Sequence, residues 1–585
     1  MVFSSVQFLF VFLPLVLIFY YAVPLRLKNW VLLGFSLLFY AWGGVRYTLL
    51  ILVSILCNYL CGLAMERWSA PAPRRAVLAL GVVFNLSLLG YFKYYDFFVS
   101  SLHAAGIGLL SVRGIVLPIG ISFYTFQAMS YVIDLYRGQI AVQRSLPRFA
   151  LYISLFPQLI AGPIVRYCDI EASLPAEARR ADSADFCYGI KRFIFGLGKK
   201  VIFANQLGSY YAVITSVSPT VLPWQVLALG SVLYAMQLYY DFSGYSDMAI
   251  GLGHMFGFSF PENFDYPYLS RSISEYWRRW HITLGTWFRE YVYIPLGGNR
   301  KGSARTLLNL FVVFFLTGLW HGADWQFVVF GILMGLTVVL ERLFLRKVLD
   351  KLPRLFGHAY TIAALYVMLT IFGANSLGSG LKTLRGIFTQ QTGAPQYVFS
   401  QFVDNRLWCV LFLALLLCGP LQAILPPLRR ALYRKEDISL PGMVLLIGIL
   451  LFSIMRVTAS SYNPFIYFRF GSARTGKGVF LESQKNQAIC FHRPVRGRYV
   501  AGIPGVQCVF QAAFAGQPRK SPAHHAAGCS GLSLRQDSGC AEHLFSRQFP
   551  LSLSAGDRQR QFELRCVSHG GIRSGADGQK RLAVF

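Results

Sequence analysis

The chain has 585 residues, of which 55% are hydrophobic and only 14% charged, with a mean hydropathy of +0.47. Soluble domains carry about a quarter charged residues, so the composition excludes a water-soluble enzyme and points to a membrane protein. The formal charge of +29 invites a nucleic-acid partner, but the basic residues sit in loops between apolar runs, the positive-inside pattern of a polytopic protein, so no nucleic acid is expected.

Residues 1–25 contain no charge. A signal peptide would open on a positive segment and close at a small-residue cleavage site. Neither is present, so Phe8–Val23 reads as a retained first span. Arg26 and Lys28 then mark a first cytoplasmic turn and place the N-terminus outside. Charge-free runs follow at 29–45, 47–65, 76–92, 114–133, 149–165 and 201–240, the last broken by Pro219 and Pro223. Further runs cover 306–323, 325–340, 355–381, 407–428 and 438–455. Each approaches the ~20 residues that cross a hydrocarbon core. The expectation is an all-α, multi-pass protein of about a dozen spans, some re-entrant.

Three segments are too polar for ordinary spans and too apolar for loops. Pro118–Gly138 carries Gln127, Ser130 and Asp134 within a span, and Phe156–Tyr167 is interrupted at Gly162–Pro163. Broken helices at membrane depth are tolerated only where they are buried in protein or line a watery cavity; a kinked packing helix is the alternative for each. The third, Ser272–Tyr293, interleaves Arg278, Arg279 and Arg289 with Trp277, Trp280 and Trp287. That pattern suits an interfacial or re-entrant helix, with an amphipathic cytoplasmic helix as the alternative.

The stretch Phe242–Ala323 places two histidines, His281 and His321, among tryptophans and long apolar runs. An ionisable ring in such a setting is a functional candidate. His321 ends an uncharged run that starts from the basic loop 299–305, which puts it well inside the membrane, and Gly322 beside it leaves room for a close approach. Burial favours a neutral imidazole, the form a general base needs. Such a base can deprotonate a sugar hydroxyl for attack on an acyl carbonyl. His281 is then a second, supporting polar group that orients substrate or stabilises developing charge. The alternative is a hydrogen-bonded core histidine at His321 and an interfacial one at His281. Asp241 and Asp247 read equally as acids on a pathway or as packing groups. The six cysteines before residue 470 lack metal-ligand or disulfide spacing, and no Walker loop, dinucleotide fingerprint or metal cluster appears. No bound cofactor and no metal is expected.

After Pro464–Phe470 the character changes. Residues 471–585 hold 16 Lys and Arg against 6 Asp and Glu, five of the ten His and five of the eleven Cys, with no sustained apolar period. The expected division is therefore a membrane domain at 1–470 and an atypical basic tail at 471–585, unstructured or the product of a shifted reading frame.

The segments "PIGISFYTFQ", "LIAGPIVRY", "YYDFSGYSDMAIGLG", "ENFDYPYLSRSISEYWRRWHITLGTWFREYVYIPLGGNR" and "GLWHGADW" together resemble the membrane-bound O-acyltransferases, in particular the branch of bacterial alginate O-acetyltransferases. The resemblance runs in order from Met1 to about Phe470. It implies a ring of tilted helices around a funnel or tunnel, with the catalytic histidine of the Trp-His-Gly context at His321 and the second motif histidine at His281. It implies an acetyl donor from the cytosol, either acetyl-CoA or an acyl carrier, as co-substrate. The acceptor would be a polysaccharide outside the cytoplasmic membrane, first among them alginate at its mannuronate hydroxyls. Periplasmic accessory proteins would assist in the bacterial inner membrane. Another exopolysaccharide or a cell-wall glycan is the alternative acceptor. A transporter or a non-catalytic scaffold of a secretion complex is the competing class.

Overall fold

At membrane depth a backbone N–H or C=O can be satisfied only within its own segment, so long apolar runs bounded by charge, proline or glycine become helices. The computed structural model describes residues 1–179, 182–425 and 439–459; the expectations for Pro464–Phe470 and for 471–585 lie outside the described residues. Among the described residues there is no strand, only an isolated bridge between Phe264 and Trp280, and the all-α expectation holds.

In chain order the principal helices begin with α1 (Phe8–Ala22), α2 (Leu25–Ala41), α3 (Val45–Arg67), α4 (Pro71–Ala104), α5 (Ile121–Tyr136) and α6 (Leu146–Ser154). Then come α7 (Ser183–Gly198), α8 (Asn205–Thr215) and α9 (Trp224–Met255), and the short pair α10 (Ile273–Arg279) and α11 (Ile282–Phe288). The remainder are α12 (Ser303–His321), α13 (Trp325–Leu349), α14 (Arg354–Gly373), α15 (Leu377–Phe388), α16 (Asn405–Leu417) and α17 (Leu440–Ala459).

Among the described residues, six helices (α3, α4, α12, α13, α14 and α17) are long and apolar enough to cross a membrane, and α1 and α16 are shorter apolar helices. The expected count of about a dozen is not confirmed among the described residues, where several apolar runs are interrupted. The run 201–240 divides at its prolines into α8, a single 3₁₀ turn at Pro219–Val221 and α9, because proline has no N–H to continue a helix. The run 149–165 splits into α6 and the four-residue helix Phe156–Leu159, followed by irregular backbone around Gly162–Pro163 that is entirely buried. In the run 114–133 the backbone stays irregular until Gly120, at a left-handed φ of 77°, and α5 begins one residue later. The broken backbone around Gly162–Pro163 is thus enclosed by protein, as membrane depth requires.

The centre is α9, 32 residues and about 48 Å long at 1.5 Å per residue. It is buried almost continuously from Leu229 to Met255. The outer helices show the reverse pattern: Ile18, Leu80 and Phe412 are each more than 60% exposed, as lipid-facing side chains should be. Lipid tails are as apolar as leucine, so helices are drawn together by close packing at small residues. On α7 and α9 these are glycines spaced by seven. A Cβ at Gly196 would lie 2.5 Å from the Gly244 carbonyl oxygen, and one at Gly189 would lie 2.6 Å from that of Gly251.

Asp241 and Asp247 of α9 are held in ion pairs. Asp247 meets Arg192 at 2.5 Å and Lys199 at 2.6 Å, Arg192 also meets Glu262 at 2.7 Å, and Asp241 meets Lys200 at 2.6 Å. Lys199 and Lys200 begin a π-helical turn, Lys199–Ala204. Two other π turns, Gly90–Tyr94 and Glu341–Leu345, carry the buried Lys93 and Glu341. The wider turn re-aims a long charged side chain inward, and such turns collect at functional sites.

Candidate active site

Three elements build the site: the break between α10 and α11, the end of α12, and the π turn of α4. The expected single helix over Ser272–Tyr293 is broken at Trp280–His281. The adjacent segment takes the backbone bonds that a continuous helix would use: Asp265 N–H donates to Arg279 O at 2.9 Å, and Ile282 N–H donates to Asn263 O at 3.0 Å. His281 consequently sits at φ 47°, a left-handed conformation that few non-glycine residues adopt. Strain of this kind costs on the order of 1–3 kcal/mol and persists only where the surroundings enforce it.

The start of α10 is fixed from α13. The buried carboxylate of Glu341 accepts from Ile273 N–H at 2.6 Å, Ser274 N–H at 2.8 Å and Ser274 Oγ–H at 2.5 Å. These satisfy N–H groups that a helix start leaves without partners, and a negative charge suits that end of the helix dipole. Ser272 Oγ accepts from Glu275 N–H at 3.0 Å as the N-cap. Burial works to raise the Glu275 pKa, but the Arg271 N–H and the Arg279 guanidinium 2.9 Å away hold it below the usual carboxylate range.

His281 is 1% exposed. Its Nδ1 lies 3.1 Å from Asn263 Oδ1, which also accepts from Thr283 N–H at 3.3 Å and Thr283 Oγ1 at 3.0 Å. A backbone N–H can only donate, so the oxygen of Asn263 faces this cluster and His281 Nδ1 must carry a proton. On the other side of the ring, Nε2 is buried and has no hydrogen-bond partner among the described residues. The ring is therefore a neutral tautomer with a free lone pair at Nε2, since an imidazolium would strand a second N–H without a partner.

His321 is the last residue of α12 and 7% exposed. Its ring contacts are aromatic: Trp320 at 5.2 Å, Phe372 at 5.3 Å and Phe330 at 6.2 Å between centroids, all edge-on. No hydrogen bond among the described residues involves its ring. The indole of Trp320 lies 5.9 Å from His281 as well, so both rings pack on one tryptophan. Phe123 and Phe126 of α5 cover that tryptophan at 5.4 and 5.6 Å, and Phe126 stacks on Trp287 at 3.7 Å. The room expected beside Gly322 is taken by Phe327, whose ring would stand 2.2 Å from an added Cβ. Gly318 lets α12 and α13 meet closely, because a Cβ there would lie 2.5 Å from the Gly331 Cα.

Two participants escape sequence reasoning. Asn263 lies in "ENFDYPYLS", within a segment that carries the family resemblance, but nothing in that segment singles out the amide as the partner of His281. Lys93 ends the run 76–92, and its only signal is an ionisable residue at the edge of an apolar stretch. It is 8% exposed; its ammonium donates to the Trp320 carbonyl and to Ser122 Oγ at 3.2 Å, while Tyr94 Oη donates to Leu319 O at 2.7 Å. These are carbonyls of the last turn of α12, which a helix end leaves unsatisfied. Lys93 has no carboxylate within 4 Å among the described residues. Its charge rests instead against the negative end of the α12 dipole. Two neighbouring residues of α4 thereby fix the turn that presents His321. Of the other described histidines, His254 lies edge-on to Tyr188 at 4.9 Å, His358 meets Ser270 O at 3.1 Å and His103 is exposed beside Leu110 O. No group of three potential metal ligands occurs among the described residues.

Against known proteins, residues 139–376, which include both histidines, match the model of the membrane-bound O-acyltransferase family. The chain is 37% identical over 518 residues to the probable alginate O-acetylase AlgI of Azotobacter vinelandii, an alignment covering 80% of this chain and all of that protein. It is 34% identical over 421 residues to the peptidoglycan O-acetyltransferase of Helicobacter pylori, covering 66% and 80% respectively. It is also 30% identical over 226 residues to the teichoic acid D-alanyltransferase of Bacillus subtilis, covering 37% and 56%.

Proposed function

The chain belongs to the membrane-bound O-acyltransferase family and is an acyltransferase, and from that premise we propose that it acetylates hydroxyls of a polysaccharide outside the cytoplasmic membrane, with His321 as the general base. The observation that carries the assignment is the buried, hydrogen-bond-free ring of His321. A core histidine kept for structure is held by hydrogen bonds; this one has neither ring nitrogen bonded among the described residues.

The base removes the proton of a sugar hydroxyl as its oxygen attacks the carbonyl carbon of the acyl donor. The new C–O bond forms, the tetrahedral intermediate collapses, the bond to the donor's sulfur breaks, and the proton passes from His321 to the departing thiolate. His281, with its lone pair at Nε2, orients the acceptor hydroxyl. Lys93 positions His321 through the last turn of α12. The acyl donor is acetyl-CoA or an acyl carrier, supplied from the cytosolic side of the bacterial inner membrane. The enzyme resides in 1–470, and 471–585 takes no part, so a chain ending at Phe470 should keep its activity.

Alginate is the first choice of acceptor, with periplasmic accessory proteins assisting, because the likeness to the Azotobacter protein spans the whole of that relative. A cell-wall glycan is the second, supported by the likeness to the Helicobacter protein. One experiment separates them: acetyl ester is measured in secreted polysaccharide and in cell wall from cells carrying wild type, His321→Ala or His281→Ala, with protein level in the membrane measured alongside. Loss of ester from one polymer in His321→Ala at normal protein level is the expected result, and it names the acceptor. Unchanged ester in that variant would remove His321 from the chemistry.

A further inference from the structure

At the foot of α1 and α2 the chain buries two cations without a carboxylate in direct contact among the described residues. Arg179 is 5% exposed and Lys28 is 9% exposed, and neither has a carboxylate within 4 Å among the described residues. Arg179 donates through Nη2 to Asn29 Oδ1, but its Nε and Nη1, carrying three N–H donors, have no partner among the described residues. Lys28 Nζ lies over the rings of Tyr20 and Tyr21 at 4.7 and 5.3 Å, and the Arg179 guanidinium over Phe258 at 4.4 Å. Cation–π contact offsets part of the burial, on the order of 1–2 kcal/mol each. It leaves the donors of Arg179 unmet and two like charges facing one recess.

That recess holds about 250 Å³ of empty space, part of it open to solvent, and is lined by Tyr20, Tyr21, Lys28, Arg179, Asp182 and His254 among others. Its walls are fixed: Tyr20 Oη donates to Phe256 O at 2.8 Å and Tyr21 Oη to Met255 O at 2.6 Å, tying α1 to the end of α9. The acidic groups there are engaged elsewhere. Asp182 caps α7 through Ala184 N–H at 3.0 Å, and Asp185 lies 3.7 Å from His254 Nδ1. The exposed apolar side chains of Ile18, Phe19 and Leu25 place the recess beside lipid.

We propose that this recess binds a phosphate group, in the first place the phosphodiester of a phospholipid headgroup in the cytoplasmic leaflet. A phosphate supplies the acceptor oxygens that the free Arg179 N–H groups and Lys28 ammonium lack, and its charge removes their mutual repulsion. The position at a basic turn between helices on the cytoplasmic side is where anionic lipids are held. The site lies at the ends of α1, α2 and α9 and is separate from the histidine pair, so it stands whether or not His321 is the base.

The test uses the purified full chain in detergent, with the unfolding temperature followed while short-chain phosphatidylglycerol, coenzyme A or inorganic phosphate is titrated. Phosphatidylglycerol should raise that temperature saturably in the wild type and in Arg179→Lys. Lys28→Gln should need about tenfold more lipid for half the effect, the loss of one charged contact (about 1.4 kcal/mol). In Arg179→Gln combined with Lys28→Gln the saturable rise should vanish. A variant-sensitive rise with coenzyme A or phosphate, and none with the lipid, would keep the phosphate site and assign it a soluble ligand. No saturable rise in the wild type with any of the three overturns the proposal without recourse to a variant. An equal rise in the double variant does the same.

Discussion

Asn263→Ala is the sharpest test of how the site is held. Asn263 Oδ1 accepts from the His281 ring, from Thr283 N–H and from Thr283 Oγ1, all within 3.3 Å and all buried. Removing it strands at least two donors, the His281 Nδ1–H and the Thr283 N–H, each at about 1–3 kcal/mol. Thr283 Oγ1 still accepts from Ile164 N–H at 2.9 Å, so the surrounding fold keeps one of its ties. The catalytic consequence is separate from stability. Without an acceptor at Nδ1 the proton is free to sit on Nε2, and the lone pair facing the site is lost in a share of the molecules. With the ring also released from its orientation, a cost of roughly 1.4–2.7 kcal/mol in the transition state corresponds to a rate about 10- to 100-fold lower. The assay is the time course of acetyl ester appearing on polymer after induction, normalised to protein in the membrane. Asn263→Asp, which keeps an acceptor facing Nδ1, should retain most of the rate. An Asn263→Ala rate within twofold of wild type at equal protein would refute the tautomer argument and leave His281 a packing group.

Lys93→Met removes a charge-assisted bond to the last turn of α12 and should lower the rate about tenfold, with Lys93→Arg recovering part of it; a rate equal to wild type in Lys93→Met would show that α12 needs no such clamp. Gly318→Leu drives a side chain into the Gly331 backbone, 2.5 Å from the first added carbon, so protein in the membrane and its unfolding temperature should both fall, by the ~1–3 kcal/mol or more that overpacking costs. Glu341→Gln keeps the shape but loses the charge that accepts two N–H groups at the start of α10; a loss of about 1–2 kcal/mol is expected, read as a lower unfolding temperature. Unchanged stability in that variant would mean that Ser272 alone suffices as the cap.

His281 and His321 stood out as candidates because an imidazole between tryptophans in an apolar run has few reasons to be there. The breaks at Pro219, Pro223 and Gly162–Pro163 were equally legible, since proline and glycine act on the backbone locally. The number of spans was not. The stretches 120–132 and 149–165 have the apolarity of spans, yet they are buried in protein, and hydropathy cannot tell burial in protein from burial in lipid. The continuous helix expected over Ser272–Tyr293 failed for a related reason: the competing partner for its backbone, residues 263–265, comes from a segment whose own sequence carries no strand signal.

Sequence by itself determined that this is an all-helical membrane protein with two exceptional histidines, because the scarcity of charge and the placement of apolar runs act along the chain. Tertiary structure decided what those histidines can do. The tautomer of His281 depends on an amide 18 positions away, and the turn that presents His321 is clamped by a lysine whose bonded carbonyl lies 227 positions on. Hydrogen bonds are short and directional, so the protonation and aim of a buried ring depend on neighbours that only folding brings within 3 Å.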